Sequence, residues 1–452
     1  MIPIDTAATP TTAVVLGAGI AGLAMSRILA DFLDSVIVIE RHPLPADERA
    51  RGGVPQAHHI HDLTTRGLGH LDEVFPGLDH ELASAGSPLL DHGRDVHTCL
   101  PAGVAPRIGT GLQARLGSRA LLEARIRDRV LGLPNVVLRT GQRVTGLVTD
   151  AMKTAIRAVI IGGERILPGD LIIDATGRFS RLPRWLAEAG FPTLPSRTIE
   201  AGFGYASCLL EAPGQPWLGL LHPTICPGRT RGAYIGKIEG HRWMVTLVGA
   251  CGDHPPADAD GFREFAHSLG NPEMTAFLQQ AQPASRIRRY TRTENRRIDY
   301  HRMRTWPDRL LVTGDAVCAF NPVYGQGIDS ALEQALLLRS LLSSRTDLTG
   351  LARDFQRRLP RTTTYAWHMS TFQDAMWARH RTARTTLSDR AISWYLHRLY
   401  RAAVQDPKTM EKFLQVFHRT KLPTTLLSPH VLAQICRRRL PATRAHVLEQ
   451  DP

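Results

Sequence analysis

The sequence predicts an α/β fold, on three observations made near its beginning. Thr12–Leu16 is a short, apolar, β-branched run, which is typical of a buried strand. Residues 23–32 carry apolar side chains at helical spacing, and residues 36–39 form a second buried-strand run. A strand, a helix and a strand in this order form a βαβ unit, whose two strands lie parallel in one sheet.

A glycine-rich turn joins the first strand to the helix. Gly17, Gly19 and Gly22 match the pattern G-x-G-x-x-G. The first allows a tight turn, the second lets a pyrophosphate approach the backbone, and the third lets the helix pack against the strand. The helix N-terminus offers free N–H groups and a positive dipole end, while Glu40 can accept ribose hydroxyls. We predict that a dinucleotide contacts Gly17, Gly19, Ile20, Ala21, Gly22, Glu40 and Arg41.

Composition is ordinary for a soluble globular protein. The 452 residues suffice for two or three domains, and contents of 43% hydrophobic and 21% charged residues are ordinary. No run approaches the ~18 apolar residues of a membrane span, and the N-terminus lacks a secretory pattern. Six scattered cysteines form no C-x-x-C. We therefore expect a cytoplasmic protein with reduced thiols and no integral membrane segment.

The net charge of +13 raises the question of nucleic-acid binding. Most of the basic residues are arginine. The densest run, residues 286–304, is interrupted by Tyr290, Ile298 and Tyr300, which indicates a partly exposed strand or connector. A positive field also suits an anionic cofactor. We predict no nucleic-acid partner.

Three closely spaced histidines, His58, His59 and His61, suggest a metal site. No carboxylate or cysteine completes an obvious ligand set, and the spacing fits no standard zinc pattern. We therefore predict no metal. A loop that lies along a bound cofactor is the preferred interpretation, with contacts from Arg51, Val54 and Gln56.

The remaining patterns predict elements along the rest of the chain. Strands at residues 135–138, 143–148 and 155–161 are expected to form an antiparallel meander beside the parallel sheet, and residues 171–174 and 310–313 are buried strands. Residues 197–248 read as the sheet of a second domain. Helices are expected at 63–75, from Ser118 onward, at 257–280, at 328–342 and through most of the chain beyond.

Four segments stand in a distinctive order: the glycine turn with Glu40, Ser118-Arg119, residues 174–177, and Gly314-Asp315 followed by a loop at 321–327. This order resembles the FAD-dependent monooxygenases of the para-hydroxybenzoate hydroxylase superfamily, over roughly residues 12–345. In that family the aspartate binds the ribityl chain of FAD, and the glycine loop lies against the isoalloxazine ring. A helix N-terminus at that ring would favour the negative charge of reduced flavin.

The resemblance implies the fold and the site. The fold would be α/β, with a Rossmann-like FAD-binding domain of the glutathione-reductase type at residues 12–80, 105–185 and 300–345. An inserted β-sheet substrate domain would cover 81–104 and 186–299, and a helical C-terminal region 346–452. Pro322, Tyr324, Gly325 and Gly327 would position the flavin ring. Further FAD contacts would come from Arg119, Val144, Ala175, Thr176, Gly177, Gly314, Asp315, Gln326 and Ile328.

Three features indicate a subgroup of this family: the Arg51–Gln56 segment with its histidines, the run 178–185, and the loop 321–327. They resemble bacterial natural-product flavin epoxidases, the squalene-epoxidase-like enzymes that epoxidise polyene precursors of polyethers. Ala175 and Thr176 intervene where the hydroxylases have Asp-Gly at the start of a nicotinamide-contacting run. NADPH or NADH is the implied electron donor, used directly or through a separate flavin reductase.

The implied reaction passes one oxygen atom of O₂, through a C4a-hydroperoxyflavin, to an alkene of a small hydrophobic polyketide or isoprenoid-like intermediate. Epoxidation needs no protein base, and no residue stands in a recognisable catalytic-base motif. Three alternatives stay open: an aromatic hydroxylase, a flavin reductase or saturase, and a non-catalytic FAD-binding protein. The sequence does not determine the oligomeric state. The candidate pocket residues are Phe203, Tyr205, Trp217, Tyr234, Trp243 and Phe320.

Overall fold

The computed structural model describes residues 11–45 and 58–437; the predicted contacts of Arg51, Val54 and Gln56 lie outside these ranges. The strands are β1 Thr12–Leu16, β2 Ser35–Ile39, β3 Ile60–Leu63, β4 Leu89–Asp91, β5 Val96–Leu100, β6 Gly103–Val104, β7 Gln113–Ser118, β8 Val136–Arg139, β9 Val144–Thr149, β10 Ile156–Ile161, β11 Arg165–Pro168, β12 Leu171–Asp174, β13 Ser196–Ile199, β14 Gly204–Glu211, β15 Gly219–His222, β16 Arg231–Lys237, β17 Arg242–Gly249, β18 Gln282–Pro283, β19 Arg288–Tyr290, β20 Asn295–Ile298, β21 Leu310–Val312 and β22 Cys318–Ala319. The α-helices are α1 Ile20–Ala30, α2 Thr65–Val74, α3 Leu78–Ser84, α4 His92–Asp95, α5 Arg119–Leu131, α6 Leu182–Glu188, α7 Ala259–His267, α8 Pro272–Gln280, α9 Gly327–Ser343, α10 Leu351–Arg358, α11 Pro360–Arg381, α12 Leu387–Gln405, α13 Pro407–Phe417 and α14 Pro429–Cys436.

A five-stranded parallel sheet carries the βαβ unit. Its order is β21-β12-β1-β2-β8, and every neighbouring pair is parallel. Helix α1 packs against α5 and α9, and the strands contribute a continuous apolar core with these helices. Such a sheet is buried on both faces, which explains the unbroken apolar runs of β1 and β12. The predicted α/β class is confirmed.

One strand was predicted in the wrong sheet. The segment at 135–138 forms β8, which pairs in parallel with β2 at the edge of the parallel sheet. The antiparallel meander instead consists of β9, β10 and β11. A four-residue apolar run has the same pattern in either position, so periodicity could not separate the two.

A larger, mainly antiparallel sheet of eight strands is built around β14, β17, β16 and β15, with β5 added in parallel to β15. Helices α7 and α8 cover one face over an aromatic core that includes Trp243 and Phe277. Residues of α11 and α12 pack with a second cluster from this sheet, which includes Phe203 and Tyr205. This sheet corresponds to the one predicted at residues 197–248.

The predicted helical region is present in α10–α14, as far as residue 437. Helix α11 packs against α9 and α10, while α12, α13 and α14 pack together around Leu399, Val431 and Ile435. Within residues 11–45 and 58–437, no helix combines the length and apolar character needed to cross a membrane.

Candidate functional site

The predicted cofactor motifs meet at the carboxyl edge of the parallel sheet. The Gly17 N–H donates to the Ile39 carbonyl at 2.8 Å, and the Ala175 N–H donates to the Leu16 carbonyl at 2.9 Å. The Thr313 N–H donates to the Asp174 carbonyl at 3.0 Å. Three turns that are far apart in sequence are therefore joined directly at the edge where open α/β sheets bind ligands.

The three glycines of the first turn differ in their surroundings. Gly17 has φ +101°, and a Cβ there would lie 2.6 Å from the Ala175 carbonyl oxygen. A Cβ on Gly22 would lie 1.9 Å from the Gly17 oxygen, whereas one on Gly19 would meet nothing within 4 Å. Gly17 and Gly22 are therefore required by protein packing, and Gly19 borders open space. Helix α1 begins next to it without a side-chain cap, so its first N–H groups are available to a pyrophosphate.

The Glu40 carboxylate is buried beside this turn. It accepts the Ala18 N–H and the His42 N–H, both at 3.0 Å. A carboxylate has about four acceptor sites, and two of these bonds hold this turn at the end of β2. The Gln142 N–H donates to the Glu40 carbonyl at 3.0 Å, which brings Val144 at the start of β9 close to this side. Arg41 is exposed directly after Glu40.

The 174–177 turn is organised by its own aspartate. The buried Asp174 carboxylate accepts the Thr176 N–H at 2.9 Å and the Thr176 hydroxyl at 2.6 Å. Gly177 follows with φ +81°. Thr176 is thus committed to the turn through its side chain, while Ala175 lies against the first glycine turn.

The second glycine segment reaches the first one. Gly314 has φ +61°, and a Cβ there would lie 2.8 Å from the Ala21 Cβ atom. The Gly314 N–H and the Thr313 hydroxyl both donate to Gln334 Oε1, at 2.8 and 2.7 Å, which anchors this turn to α9. Asp315 therefore directly follows Gly314, the residue that lies against Ala21 of α1.

The Asp315 carboxylate has no hydrogen-bond partner within the described residues. Burial raises its pKa, and the positive charges of Arg178, Arg119 and Arg296 act in the opposite direction. A partly buried carboxylate with free acceptor sites is suited to a sugar-alcohol hydroxyl. The arginines also place a positive field where an anionic flavin would lie.

The loop at 321–327 presents open backbone. Gly325 has φ +65°, and a Cβ on Gly325 or on Gly327 would meet nothing within 4 Å. Helix α9 begins at Gly327 without a side-chain cap, and the side chain of Ile328 packs on the main core. Gln326 Nε2 donates to the Tyr324 carbonyl at 2.9 Å, and its buried Oε1 has no partner in the part of the chain that is described. This edge has the space and the donors that the pyrimidine side of a flavin needs.

Buried polar atoms without partners in the described ranges lie on Arg178 and on the neighbouring rings of His59 and Tyr205. His59 Nε2, Tyr205 Oη and Arg178 Nε are buried and lack partners among the described residues. The His59 and Tyr205 rings meet edge-to-face at 4.2 Å, and Arg178 donates to the Phe320 carbonyl at 2.9 Å. Buried polar groups are rarely left unpaired, so these atoms fit a bound polar ring system. The residues present therefore fit FAD.

Sequence reasoning placed His59 on a loop along the cofactor and Arg178 in the run 178–185, but it assigned a cofactor contact to neither side chain. Arg178 directly follows the 174–177 turn at the carboxyl edge of the sheet, and it is buried. An arginine immediately after such a turn is a signal that was present in the sequence. The partners of His59, Ser207 Oγ at 2.7 Å and the Tyr205 ring, come from a strand about 150 residues away, so no local pattern could reveal them.

The candidate pocket residues separate into two groups. The Phe203 ring lies 6.4 Å from Tyr324 and 6.3 Å from Trp377, and Tyr205 belongs to the same cluster, against which Val323 packs. Phe320 is buried in the main core beside this loop. The structure therefore brings Phe203, Tyr205 and Phe320 to the loop at 321–327, the flavin loop.

The other three aromatic residues lie elsewhere. Trp217 and Trp243 contact each other and Phe277 in the core beneath α7 and α8. Tyr234 packs near Leu116 and donates to Asp62 Oδ2 at 3.1 Å. These contacts are those of core packing.

The histidines near the site are not arranged as metal ligands. Among the described residues, no group of three or more His, Cys, Asp or Glu side chains is placed to hold a metal ion. Burial is the main cause that lowers the pKa of His59 and of His61 to about 3. The charge of His61 also lowers the pKa of His59, and the charge of Arg119 also lowers the pKa of His61. Both imidazoles are therefore neutral near pH 7.

The chain has relatives among known proteins, although no family model matches it. A Mycobacterium tuberculosis protein named Rv3254 is 33% identical over 441 residues, covering 90% of this chain and 89% of its own. Kynurenine 3-monooxygenase of Salinispora tropica is 28% identical over 372 residues, covering 77% and 76%. The structure of pqsL, a probable FAD-dependent monooxygenase from Pseudomonas aeruginosa, superposes with a TM-score of 0.63 at 17% identity, covering 83% of this chain and 98% of that one.

The fold, the convergent glycine segments and these relatives together define the class of protein. The chain belongs to the FAD-dependent monooxygenases of the para-hydroxybenzoate hydroxylase superfamily. FAD is its cofactor.

Proposed function

We propose that this monooxygenase transfers one oxygen atom from O₂ to an alkene of a small hydrophobic polyketide or isoprenoid-like intermediate. NADPH or NADH would supply the electrons, directly or through a separate flavin reductase. The relatives support oxygenation but divide over the target, since they include squalene epoxidase 3 of Arabidopsis thaliana as well as kynurenine 3-monooxygenase. The choice of an alkene depends on the chain's own side chains.

The residues assigned to FAD would hold it along its full length. The α1 N-terminus beside Gly19 would bind the pyrophosphate, Glu40 the adenosine ribose, and Asp315 the ribityl chain. The α9 N-terminus and the backbone at Gly325 would face the pyrimidine edge of the ring. Bound FAD supplies the redox chemistry that activates O₂, and the protein supplies orientation and a dry cavity.

The acid–base properties of three side chains, His59, His61 and Tyr205, carry the proposal. His59 and His61, with pKa values of about 3, are far too weak as bases to remove a phenol proton, whose pKa is about 10. Burial raises the pKa of Tyr205 well above its usual value, so this phenol stays protonated. Hydroxylation of a phenol benefits from a base, whereas epoxidation of an alkene requires no proton removal.

One wall beside Tyr324 is formed by apolar side chains. Phe203 is 1% exposed and Trp377 is fully buried, and both pack in the cluster that Val323 joins. Exclusion of water from this space would protect an activated oxygen species from unproductive breakdown. The same wall would bind an alkene by burial of its carbon atoms.

The test begins with the FAD-loaded enzyme, reduced without oxygen by NADPH, by NADH, or by a flavin reductase. Reduced enzyme is then mixed with ¹⁸O₂ and either a linear polyene or a matched phenol, and products are analysed by mass spectrometry. We expect one ¹⁸O atom in an epoxide of the polyene. Preferential labelling of the phenol, or O₂ consumption that yields only hydrogen peroxide with both substrates, would contradict the proposal.

A variant links this reaction to the assigned site. Asp315→Ala removes the carboxylate proposed to bind the ribityl chain, and loss of a charged hydrogen bond weakens binding by roughly tenfold to a hundredfold. We expect this variant to purify largely colourless. Asp260→Ala, at a side chain that is 92% exposed on α7, is the matched control and should retain FAD. Full FAD retention by Asp315→Ala would contradict the assignment.

A further inference from the structure

A cavity of about 470 Å³ lies between α11, α12 and the turn at Cys226-Pro227. Its volume is within the range of about 300–1,000 Å³ typical of small-molecule sites. Met376 from α11 and Trp394 from α12 also line it. Trp394 is 55% exposed, an unusual state for so large an apolar side chain on a helix that otherwise packs against its neighbours.

The inner wall of this cavity is continuous with the flavin loop. Cys226 and Met376 belong to the apolar cluster that contains Phe203 and Trp377, and Val323 packs against that cluster. Phe203 in turn contacts the Tyr324 ring. One apolar cluster therefore extends from the cavity wall to the residues assigned to the flavin ring.

The other wall is cationic. Arg390, Arg398 and Arg401 all line the cavity, and neither Arg390 nor Arg401 forms an ion pair within the described part of the chain. Arg398 lies 5.0 Å from the Trp394 ring centre and donates to the Ile435 carbonyl at 3.0 Å. Asp389 also lines the cavity, but its carboxylate is already paired with Arg379 and bonded to Thr386. The cavity thus has uncompensated positive charge on one side and apolar carbon on the other.

We propose that this cavity binds the substrate of the oxygenation, and that the substrate is an alkene chain ending in an anionic head group, a carboxylate or a phosphate. The head group binds Arg390 and Arg401, and the hydrocarbon lies along Cys226 and Met376 toward Tyr324. Guanidinium groups recognise both kinds of anion through paired N–H donors. This inference rests on the proposed function and adds the substrate class, which the family alone does not specify.

Binding to the oxidised, FAD-loaded enzyme tests the inference without turnover. Farnesoic acid, its methyl ester and farnesyl diphosphate share one alkene chain and differ in the head group, and each is titrated by calorimetry. We expect the acid or the diphosphate to bind about tenfold more tightly than the neutral ester. The tighter of the two anions identifies the head group as carboxylate or phosphate. Equal affinity for the acid, the diphosphate and the ester would overturn the proposal.

Two variants locate the site. Arg390→Gln combined with Arg401→Gln should reduce the preference for the anion to about twofold or less, with little change for the ester. Arg384→Gln is the control, because Arg384 lies on the turn between α11 and α12 and does not line the cavity. Trp394→Ala, at an exposed position, should weaken the binding of all three probes. An arginine double variant that behaves like Arg384→Gln would refute the inference.

These outcomes are separable from those of the proposed function. Anion preference is measured on oxidised enzyme, whereas epoxidation is measured by ¹⁸O incorporation into a neutral polyene. Labelled epoxide without an anion preference would reject the inference and leave the proposed function intact. An anion preference that depends on the arginines, with no oxygen incorporation into the acid, the diphosphate or the ester, would reject the proposed function and with it the role of the cavity as the site for the oxygenation substrate.

Discussion

At the scale of single residues, the glycine turn shows how one motif contains two kinds of requirement. Gly22 is needed because a Cβ would overlap the Gly17 oxygen at 1.9 Å, which is a demand of protein packing. Gly19 has extended backbone with φ −79° and open space beside it. Nothing in the protein itself forbids a side chain at Gly19. The proposed approach of the cofactor to this backbone would explain the glycine.

These two glycines therefore predict opposite phenotypes on substitution. Gly19→Ala should leave the melting temperature of the FAD-free protein nearly unchanged and weaken FAD binding about tenfold or more, since the methyl group occupies the pyrophosphate's space. Gly22→Ala should instead destabilise the FAD-free protein by about 1–3 kcal/mol through overpacking. Calorimetry and flavin fluorescence measure the two effects. Unchanged FAD affinity in Gly19→Ala would argue against a phosphate at this position.

At the scale of elements, the flavin loop is held by a helix of the C-terminal region. The fully buried Asp374 of α11 accepts the Tyr324 hydroxyl at 2.6 Å, Asn321 Nδ2 at 3.0 Å and Asn295 Nδ2 at 2.6 Å. The Asn321 N–H also donates to Asn295 Oδ1 at 2.8 Å. One carboxylate thus joins α11, β20 and the loop that carries Tyr324. Burial raises the pKa of Asp374 to about 6, although these three donors act to lower it.

This carboxylate predicts a specific dependence of stability on pH. The folded-state pKa of about 6 lies above the ordinary value of 3.8, so between these values the folded protein holds more protons than the unfolded chain. Its contribution to stability is therefore complete below pH 3.8 and is lost as pH rises through about 6, a change of about 3 kcal/mol. Urea unfolding from pH 4 to 7.5 should show this component in the wild type and not in Asp374→Asn.

Asp260→Asn, at the exposed α7 site, is the control for that series and should keep the wild-type pH profile. Curves for the wild type and Asp374→Asn that stay parallel over the whole range would contradict the buried titration of Asp374.

At the scale of the whole molecule, the C-terminal helices are built into the cofactor side of the fold. Arg419, just beyond α13, pairs with the buried Asp329 in the first turn of α9 and with Glu333 at 3.2 Å. His70 of α2 holds the other Asp329 oxygen at 2.6 Å. The helix assigned to the flavin ring is thus fixed at its N-terminus from two separate parts of the chain.

Removal of the Arg419 charge should lower the free energy of unfolding of the whole protein. Arg419→Met keeps much of the side-chain volume and leaves a buried Asp329 charge without its arginine partner, which typically costs about 3–5 kcal/mol. Arg353→Met, at an exposed position on α10, is the control and should change stability by less than about 0.5 kcal/mol. Chemical unfolding compares the two variants. A loss below about 1 kcal/mol in Arg419→Met would show that the C-terminal region contributes little to the α9 N-terminus.

The accuracy of the sequence predictions differed according to the range of the interaction. The βαβ unit, the strands at 171–174 and 310–312 and the helix after Gly327 all follow local patterns, and each is present. The strand predicted at 135–138 was placed in the wrong sheet because its partner β2 is about 100 residues away. Trp217 and Trp243 were pocket candidates because aromatic content alone does not reveal which face of a sheet a side chain occupies.

The sequence by itself determined the α/β class and the glycine turn, because these depend on residue types at short, regular spacing, and its resemblance to a family of flavin monooxygenases implied FAD. Only the tertiary structure decided which groups share the site. Arg178, His59 and Asp374 come from three distant segments. The unpaired atoms of Arg178 and His59, the lowered pKa of His59 and the raised pKa of Asp374 arise from neighbours that no local pattern specifies. The cationic cavity between α11 and α12 likewise exists because of helix packing, and the arginines that line it are indistinguishable in the sequence from those on the surface.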